Sequence, residues 1–410
     1  MVFRLKVPCT FVFCVLLGAS AILVQAQSRN TATDPTDNLS FRPNDPLSRS
    51  AFDHFYNLDY DRALQEFDQI NQRHPDDLFA LNHLLTAMLF RELYRMGALD
   101  TGEYANDSFI HAAHRPADPQ IKQQIKTLVE KAFQLEEKRL DANSKDVDTL
   151  YARGVTRAQF ATYTAMIDHA WFSALRNAVG ARRDHERVLE LAPGDTPAKL
   201  IVGAHNYVMG SLPLALRAGV TMLGIGGNKD LGFKLLHECA AGTGETSIDA
   251  KILLVLFLRR EQRYAEALPI VRGLIASYPR NVLMALEEGN LLRAAGRNQE
   301  AADVYKRVWQ AGRDGHFDGL HYEIAALSLG DLLRSEKNYT AAAAAYEDVP
   351  TVPQPDPETL QKANLAAGEM YDLLHKRDLA MKKYQAVVVA DPKSAMADAA
   401  NQYMKQPFRE

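Results

Sequence analysis

The sequence predicts an all-α protein, a solenoid of stacked helix hairpins, and three observations carry that prediction. Gly368, Ala380, Tyr384 and Pro392 are separated by 12, 4 and 8 residues, and the first two spacings recur at Gly289, Ala301, Tyr305 and at Gly330, Ala342, Tyr346. No segment alternates apolar and polar residues with period two for long enough to propose a sheet. Apolar residues make up 47% of the chain, enough to build a core from packing alone.

The elements follow in chain order. Arg4 and Lys6 precede a mostly apolar run from Val7 to Val24, and Val24-Gln25-Ala26 offers a peptidase site. This is the anatomy of a secretory signal, with cleavage expected after Ala26. The rival reading is a retained anchor, since the run barely reaches spanning length. Cys14 lacks the Leu-small-small pattern that precedes a lipidated cysteine. Residues 27–48, rich in Asn, Asp, Thr, Ser and Pro, read as a disordered leader.

Removing Arg4 and Lys6 takes the formal charge from -4 to -6, and no Lys/Arg block gives a nucleic-acid footprint. Cys9 and Cys14 leave with the signal, so Cys239 remains alone and no intramolecular disulfide can form. After the signal no segment reaches transmembrane length; Leu212–Ile225 is short and carries Arg217.

Residues 49–245 read as divergent, elongated hairpins. Ala63, Phe67 and Pro75 keep the repeat spacing, and so do Ala181, His185 and Pro193. Gly154, however, precedes Ala181 by 27 residues, which predicts two lengthened helices over 147–191. Asn228–Cys239 reads as a second helix with Gly232 in the alanine place, and residues 97–120 as the longest internal loop.

From 248 onward the pattern is regular. In the first unit Val255 stands in the glycine place, followed by Ala267, Val271 and Pro279, and Pro279 lies ten residues before Gly289, so two 34-residue units join without a gap. The glycine admits a close neighbour, the alanine sits where two helices cross, the aromatic fills the space one turn on, and the proline ends the second helix. One such hairpin cannot bury its apolar face alone, whereas a stack can. The stretches EEGNLLRAAGRNQEAADVYKRVW, LSLGDLLRSEKNYTAAAAAYEDV and LAAGEMYDLLHKRDLAMKKYQAVVVADP thus resemble the tetratricopeptide-repeat (TPR) family. The units fall at 248–281, 282–315, 323–356 and 361–394, with 395–404 as a capping helix and QPFRE as a frayed tail to 410. The family's first-helix tryptophan is absent from all four. The resemblance implies a right-handed superhelix whose first helices line a concave face. The phrase LRAGVTMLGIGGNKDLGFKLL faintly resembles an atypical TPR family of the mitochondrial outer membrane.

The candidate partner-binding residues follow from that phase. Arg259, Arg293 and Arg334 lie four residues past the glycine position in three units, with Arg260 and Asn290 beside them and Asp372 in the fourth unit. Stacking predicts an arginine ladder suited to carboxylates on an acidic peptide or surface. The bland alternative is arginines snorkelling at the ends of packed helices. A carboxylate clamp of the kind some TPR proteins use is disfavoured, because Leu286 stands where a lysine is needed.

Other features yield to structural readings. His111 and His114, near Asp107 and Asp118, match no zinc spacing, so no metal is expected. GIGGNKD at 224–230 lacks the Gly-Lys-Ser/Thr of a phosphate loop and follows no strand. Phe160, Tyr163, Met166, Trp171 and Phe172 recur at helical spacing and read as core, and His169 beside Asp168 reads as structural. Cys239 lies among Leu235, Leu236 and Ala240 as a buried inert thiol. Sequons at Asn38, Asn106 and Asn338 matter only if the host glycosylates exported proteins. No catalytic constellation or cofactor motif emerges. The expectation is an exported, periplasmic or secreted, non-enzymatic scaffold for a protein or peptide partner in cell-envelope assembly or maintenance. The alternative is a small-ligand or lipid carrier with its pocket in the helices of 147–191.

Overall fold

The computed structural model describes residues 41–99, 101, 115–222 and 224–410, and among them every regular element is a helix. The signal reading over 1–26, most of the expected leader, the sequons at Asn38 and Asn106, and His111, His114 and Asp107 lie outside the described residues. Two compact units divide near Leu274.

The first unit contains α1 (Ser48–Tyr56), α2 (Tyr60–Arg73), α3 (Leu78–Met96), α4 (Pro119–Ala142), α5 (Val147–Met166), α6 (Trp171–Leu191), α7 (Lys199–Ser211), α8 (Leu214–Met222), α9 (Lys229–Ala240), α10 (Glu245–Arg260) and most of α11 (Tyr264–Ser277). Helix starts are written locally. Asp77, Asp118, Asp146 and Asn228 each accept a first-turn backbone N–H, and Pro119 occupies the first position of α4, where its missing N–H is harmless.

The composition-based leader needs a correction at its end. Residues 41–48 are packed: Phe41 stacks on Phe52 at 4.9 Å, Arg42 pairs with Asp148 at 2.8 Å, and buried Asp45 takes Arg73 at 2.8 Å and His74 at 3.1 Å. Three partners and an apolar face outweigh the propensity of a polar, proline-containing stretch to stay unfolded.

The irregular hairpins have a steric explanation. Helices α5 and α6 run 20 and 21 residues, and a Cβ on Gly154 would lie 2.0 Å from the His185 ring, so the 27-residue offset from Ala181 still delivers a close crossing. Gly232 plays the same part between α9 and α7, where an added Cβ would fall 2.5 Å from the Tyr207 nitrogen. Short α8 is inserted between those two helices. GIGGNKD is the turn into α9, with Gly227 against the Asn206 carbonyl. The unit is tied from its first hairpin to its last: the Tyr56 hydroxyl donates to Asp249 at 2.9 Å on α10.

The second unit contains α12 (Val282–Ala294), α13 (Asn298–Arg313), α14 (Glu323–Ser335), α15 (Tyr339–Asp348), α16 (Pro357–Leu373), α17 (Arg377–Ala390) and α18 (Ala395–Lys405). Each helix packs on the next, and α12, α14 and α16 also meet in succession, which is the stacking of a solenoid. Asn281, Asn338, Asp356 and Ser394 cap their helices. The hairpin turns share one conformation: Gln262, Gly296, Lys337 and His375 all have positive φ, between 58° and 73°, two residues before the second helix begins. Leu58 at 63° places the α1–α2 hairpin in the same class, with fully buried Ala51 in its glycine place.

Candidate partner-binding site

The repeat motif builds a lock in the second unit, and the lock leads to the site. A Cβ on Gly289, Gly330 or Gly368 would fall 2.4–2.5 Å from a ring carbon of Tyr305, Tyr346 or Tyr384 respectively. The tyrosine of each hairpin therefore lies directly on its glycine, and Ala301, Ala342 and Ala380 beside it are fully buried. In the preceding hairpin Val255 and Val271 are both fully buried, so added volume in the glycine place is matched by a smaller side chain in the aromatic place.

Each ring reaches through with its hydroxyl. Tyr305 donates to Asn290 at 2.8 Å, Tyr346 to Asp331 at 2.7 Å, and Tyr384 to Asp372 at 2.9 Å. Burial, then the charge of Asp331, pushes the Tyr346 hydroxyl far above its ordinary range. Burial also raises the Asp331 carboxyl, against the Tyr346 bond and the nearby Arg293 and Arg334 charges.

The six sequence-predicted residues separate. Arg259 and Arg260 belong to the first unit. Arg259 donates to the Thr101 carbonyl at 3.0 Å, an internal tie to the segment after α3, and Arg260 lies at the end of α10, its charge acting on the Tyr207 hydroxyl. Asn290, Arg293, Arg334 and Asp372 belong to the second unit. There Arg293, Asp331, Arg334, Ser335 and Lys337 line a cleft of about 390 Å³ together with Glu410. Arg334 is paired with Glu369, and burial raises that carboxyl against the arginine's pull. Arg293 sits half-buried at the cleft, and its charge acts on Asp331.

Two expectations change here. Asp372 does not stand as an open negative end to the ladder: its side chain is 1% exposed, held by two bonds from Arg377 at 2.8 and 2.9 Å and by Tyr384. Nor is the tail frayed. Phe408 donates its backbone N–H to Asp372 at 2.8 Å, its ring lies 5.2 Å from Tyr403, and Arg334 sits 5.4 Å over it. Glu410 accepts from the Tyr339 hydroxyl at 2.8 Å. Sequence reasoning had no signal for these contacts, because they join residues 36 and 71 positions apart without periodicity.

One small cavity lies among the described residues of α5, α6 and α7. The space among Ala158, Ala161, Ala178, Ala181, Ile201, Ala204 and His205 is about 20 Å³, no more than a water's worth. Phe160 stacks on Tyr163 at 5.9 Å and Tyr163 and Met166 are buried, but Phe172 at the start of α6 is 88% exposed and is not core as its spacing suggested; Asp168 is paired with Lys122 and Lys126. Cys239 is buried, and burial pushes its thiol well up. A buried polar seam went unread in the sequence: Asn82 donates to the Ala152 carbonyl, Gln159 to Thr86, and Thr156 meets Glu136 at 2.5 Å. Burial lifts the Glu136 carboxyl to about 7. Among the described residues no three metal-binding side chains converge, and no helix is long and apolar enough to cross a membrane.

A sequence profile of the tetratricopeptide repeat matches residues 254–316, the end of α10 and all of α11, α12 and α13. The chain carries tetratricopeptide repeats. Among curated proteins no sequence matches. Solved TPR structures similar to this chain include Pseudomonas aeruginosa PilF, 14% identical over 63% of this chain and 99% of that one, with a TM-score of 0.37. The Cut9–Hcn1 complex of the APC/C is 13% identical over 88% of this chain and 55% of its own, with a TM-score of 0.44. Yeast Tom70 is 13% identical over 89% of each chain, with a TM-score of 0.35. Likenesses this remote say nothing of what the TPR chain binds. Its repeats form a helical scaffold of the kind that holds protein partners.

Proposed function

We propose that this TPR protein is an exported, non-enzymatic scaffold that holds an acidic protein segment in the second unit's cleft, in assembly or maintenance of the cell envelope. The observation that carries the reading is the cleft of about 390 Å³ in which Arg293, Arg334 and Lys337 converge. A guanidinium fork binds carboxylate pairs with defined geometry, and a half-buried one loses less to water on binding than an exposed one. Arg259 and Arg260 belong to the first unit and are not among the residues that line this cleft. The export half of the reading is supported by the signal-like residues 1–26.

One experiment tests both halves. The tagged full chain is expressed in its own cell, recovered from the exported fraction, sequenced from its N-terminus and compared with Arg293→Glu. Cleavage after Ala26, and a co-purified partner lost at least tenfold on charge reversal, are expected. A protein retained inside the cell removes the export reading, and capture that ignores Arg293→Glu removes the cleft.

A further inference from the structure

We infer that residues 406–410 are a built-in occupant of a peptide site on the second unit, and that the same site accepts from a partner an extended segment with an aromatic side chain two residues ahead of a carboxylate. This rests on the reading that the second unit holds a protein segment, and it names the segment's chemistry.

The site is assembled before anything enters it. Asp372 is fixed by Arg377 and Tyr384, so its Oδ2 already faces the acceptor position that receives the Phe408 backbone N–H. Arg377 also donates to the carbonyls of Tyr403 and Met404, which anchors the end of α18 and brings the Tyr403 ring to the site. The aromatic subsite is thus the near-perpendicular Tyr403 ring together with the Arg334 guanidinium over the Phe408 ring, an arrangement that selects a ring by shape and by cation–π attraction. The acid subsite is the Tyr339 hydroxyl, with Arg334 Nε at 3.8 Å from the Glu410 carboxylate. Backbone, ring and carboxylate are each met by a different group, and Asp372 and Arg334 are held from outside the tail as well, by Arg377 and Tyr384 and by Glu369.

The occupant is weakly held in a way that suits exchange. Only Phe408 is partly covered, while Gln406, Pro407, Arg409 and Glu410 remain exposed. Pro407 keeps the segment from continuing α18, so it reaches the site extended. A segment this short, tethered to the site's own wall, competes at an effective concentration on the order of millimolar. A partner bearing the same chemistry must displace it, and the intact chain therefore binds such a partner less tightly than a chain without the tail.

The probe is a synthetic peptide Lys-Gln-Pro-Phe-Arg-Glu, labelled at its N-terminus and titrated by fluorescence anisotropy into the full chain, the chain lacking 406–410, and the full chain with Phe408→Ala and Glu410→Ala. The last variant keeps the backbone and covers the case in which truncation harms folding. The tail-less and doubly substituted chains should bind the peptide about tenfold or more tightly than the full chain. Tyr339→Phe in the tail-less chain should weaken binding severalfold, and a peptide with Ala for Phe should not bind. Equal binding by the full and tail-less chains, or no binding by any form at millimolar peptide, overturns the inference. A tail exchanged between two copies would give a dimer that truncation dissolves, and would overturn the intramolecular form. Loss of this inference leaves the cleft reading standing if the exported partner is still captured in an Arg293-dependent way.

Discussion

Acidification from pH 7 to pH 5 should destabilise the first unit selectively. His83, His185 and His205 are buried there, and burial lowers them to about 3, about 4 and about 4, with Arg182 helping to hold His205 down. His83 lies edge-on to Phe52 at 4.8 Å with no polar partner at Nε2, so its charged form has nothing to replace water. The folded pKa values lie below the unfolded one, so the stabilisation is complete above the ordinary histidine range and is lost as pH falls. Each pH unit below about 6.5 lets the unfolded chain gain roughly 1.4 kcal/mol per histidine until the folded group titrates. At pH 5 that is about 2 kcal/mol for each of the three.

Two carboxyls act the other way. Burial raises Glu136 to about 7 and Asp195 to about 6, so both stabilise the fold as pH falls, and together they return about 3–4 kcal/mol between pH 7 and pH 5. The histidines win by about 2 kcal/mol, a sizeable share of a domain's net stability. The second unit should not follow, because its His316, His321 and His375 are not buried and burial raises its Asp331 and Glu369. The two tryptophans, Trp171 on α6 and Trp309 on α13, report one unit each. In Trp309→Phe, urea unfolding read at Trp171 should move its midpoint down by about 1 M from pH 7 to pH 5. His83→Leu should remove about a third of the histidine contribution to that loss. A Trp171 transition that stays put or moves up, or a Trp309 transition that falls by the same amount, refutes the reasoning.

Other outcomes follow from the same packing. Glu136→Gln should leave stability at pH 5 nearly unchanged and raise it by about 2–3 kcal/mol at pH 8, since the raised carboxyl destabilises the fold only once ionised; urea titrations at the two pH values check this. Gly330→Ala should lower second-unit stability by about 1–3 kcal/mol through the Tyr346 ring, read at Trp309. Lys337→Gly should raise it by roughly 1 kcal/mol, because the turn holds φ at 59°, where a Cβ is strained. With Cys9 and Cys14 replaced by serine, Cys239 should resist an aromatic disulfide reagent until denaturant is added, and reaction with the native chain would contradict its burial.

The repeat register was legible because sterics write it into residue type. Gly289, Gly330 and Gly368 must be glycines to receive the tyrosine rings, so a fixed spacing reveals the hairpin. The long α5–α6 hairpin was legible by its broken spacing, with Gly154 and His185 still meeting. The candidate site was half legible. Phase predicted that Arg293 and Arg334 share a face, and they line one cleft. Phase could not foresee that Arg259 is spent on the Thr101 carbonyl, or that Asp372 is closed by Arg377. Those bonds depend on which segments come near, and side-chain periodicity along one helix carries no record of a loop or tail that arrives from elsewhere. The seam of Asn82, Thr86, Glu136, Thr156 and Gln159 was unread for a related reason: each residue alone has the polarity of a surface position, and the bonds that accompany its burial join different helices, with Glu136 Oε2 and Gln159 Oε1 still unpartnered.

The reach of each repeat tyrosine, from glycine at its ring to Asn290, Asp331 or Asp372 at its hydroxyl, has an evolutionary consequence. The side chain at each of these contacts must offer a hydrogen-bonding group to the tyrosine, so drift there is confined to a small alphabet, and a switch to leucine strands the hydroxyl. The partner stands one residue past the glycine at Asn290 and Asp331 but four past it at Asp372, so the place tied to the tyrosine in the last repeat is the one that Arg293 and Arg334 fill at the cleft. The vocabulary of its partners is bounded by its own architecture.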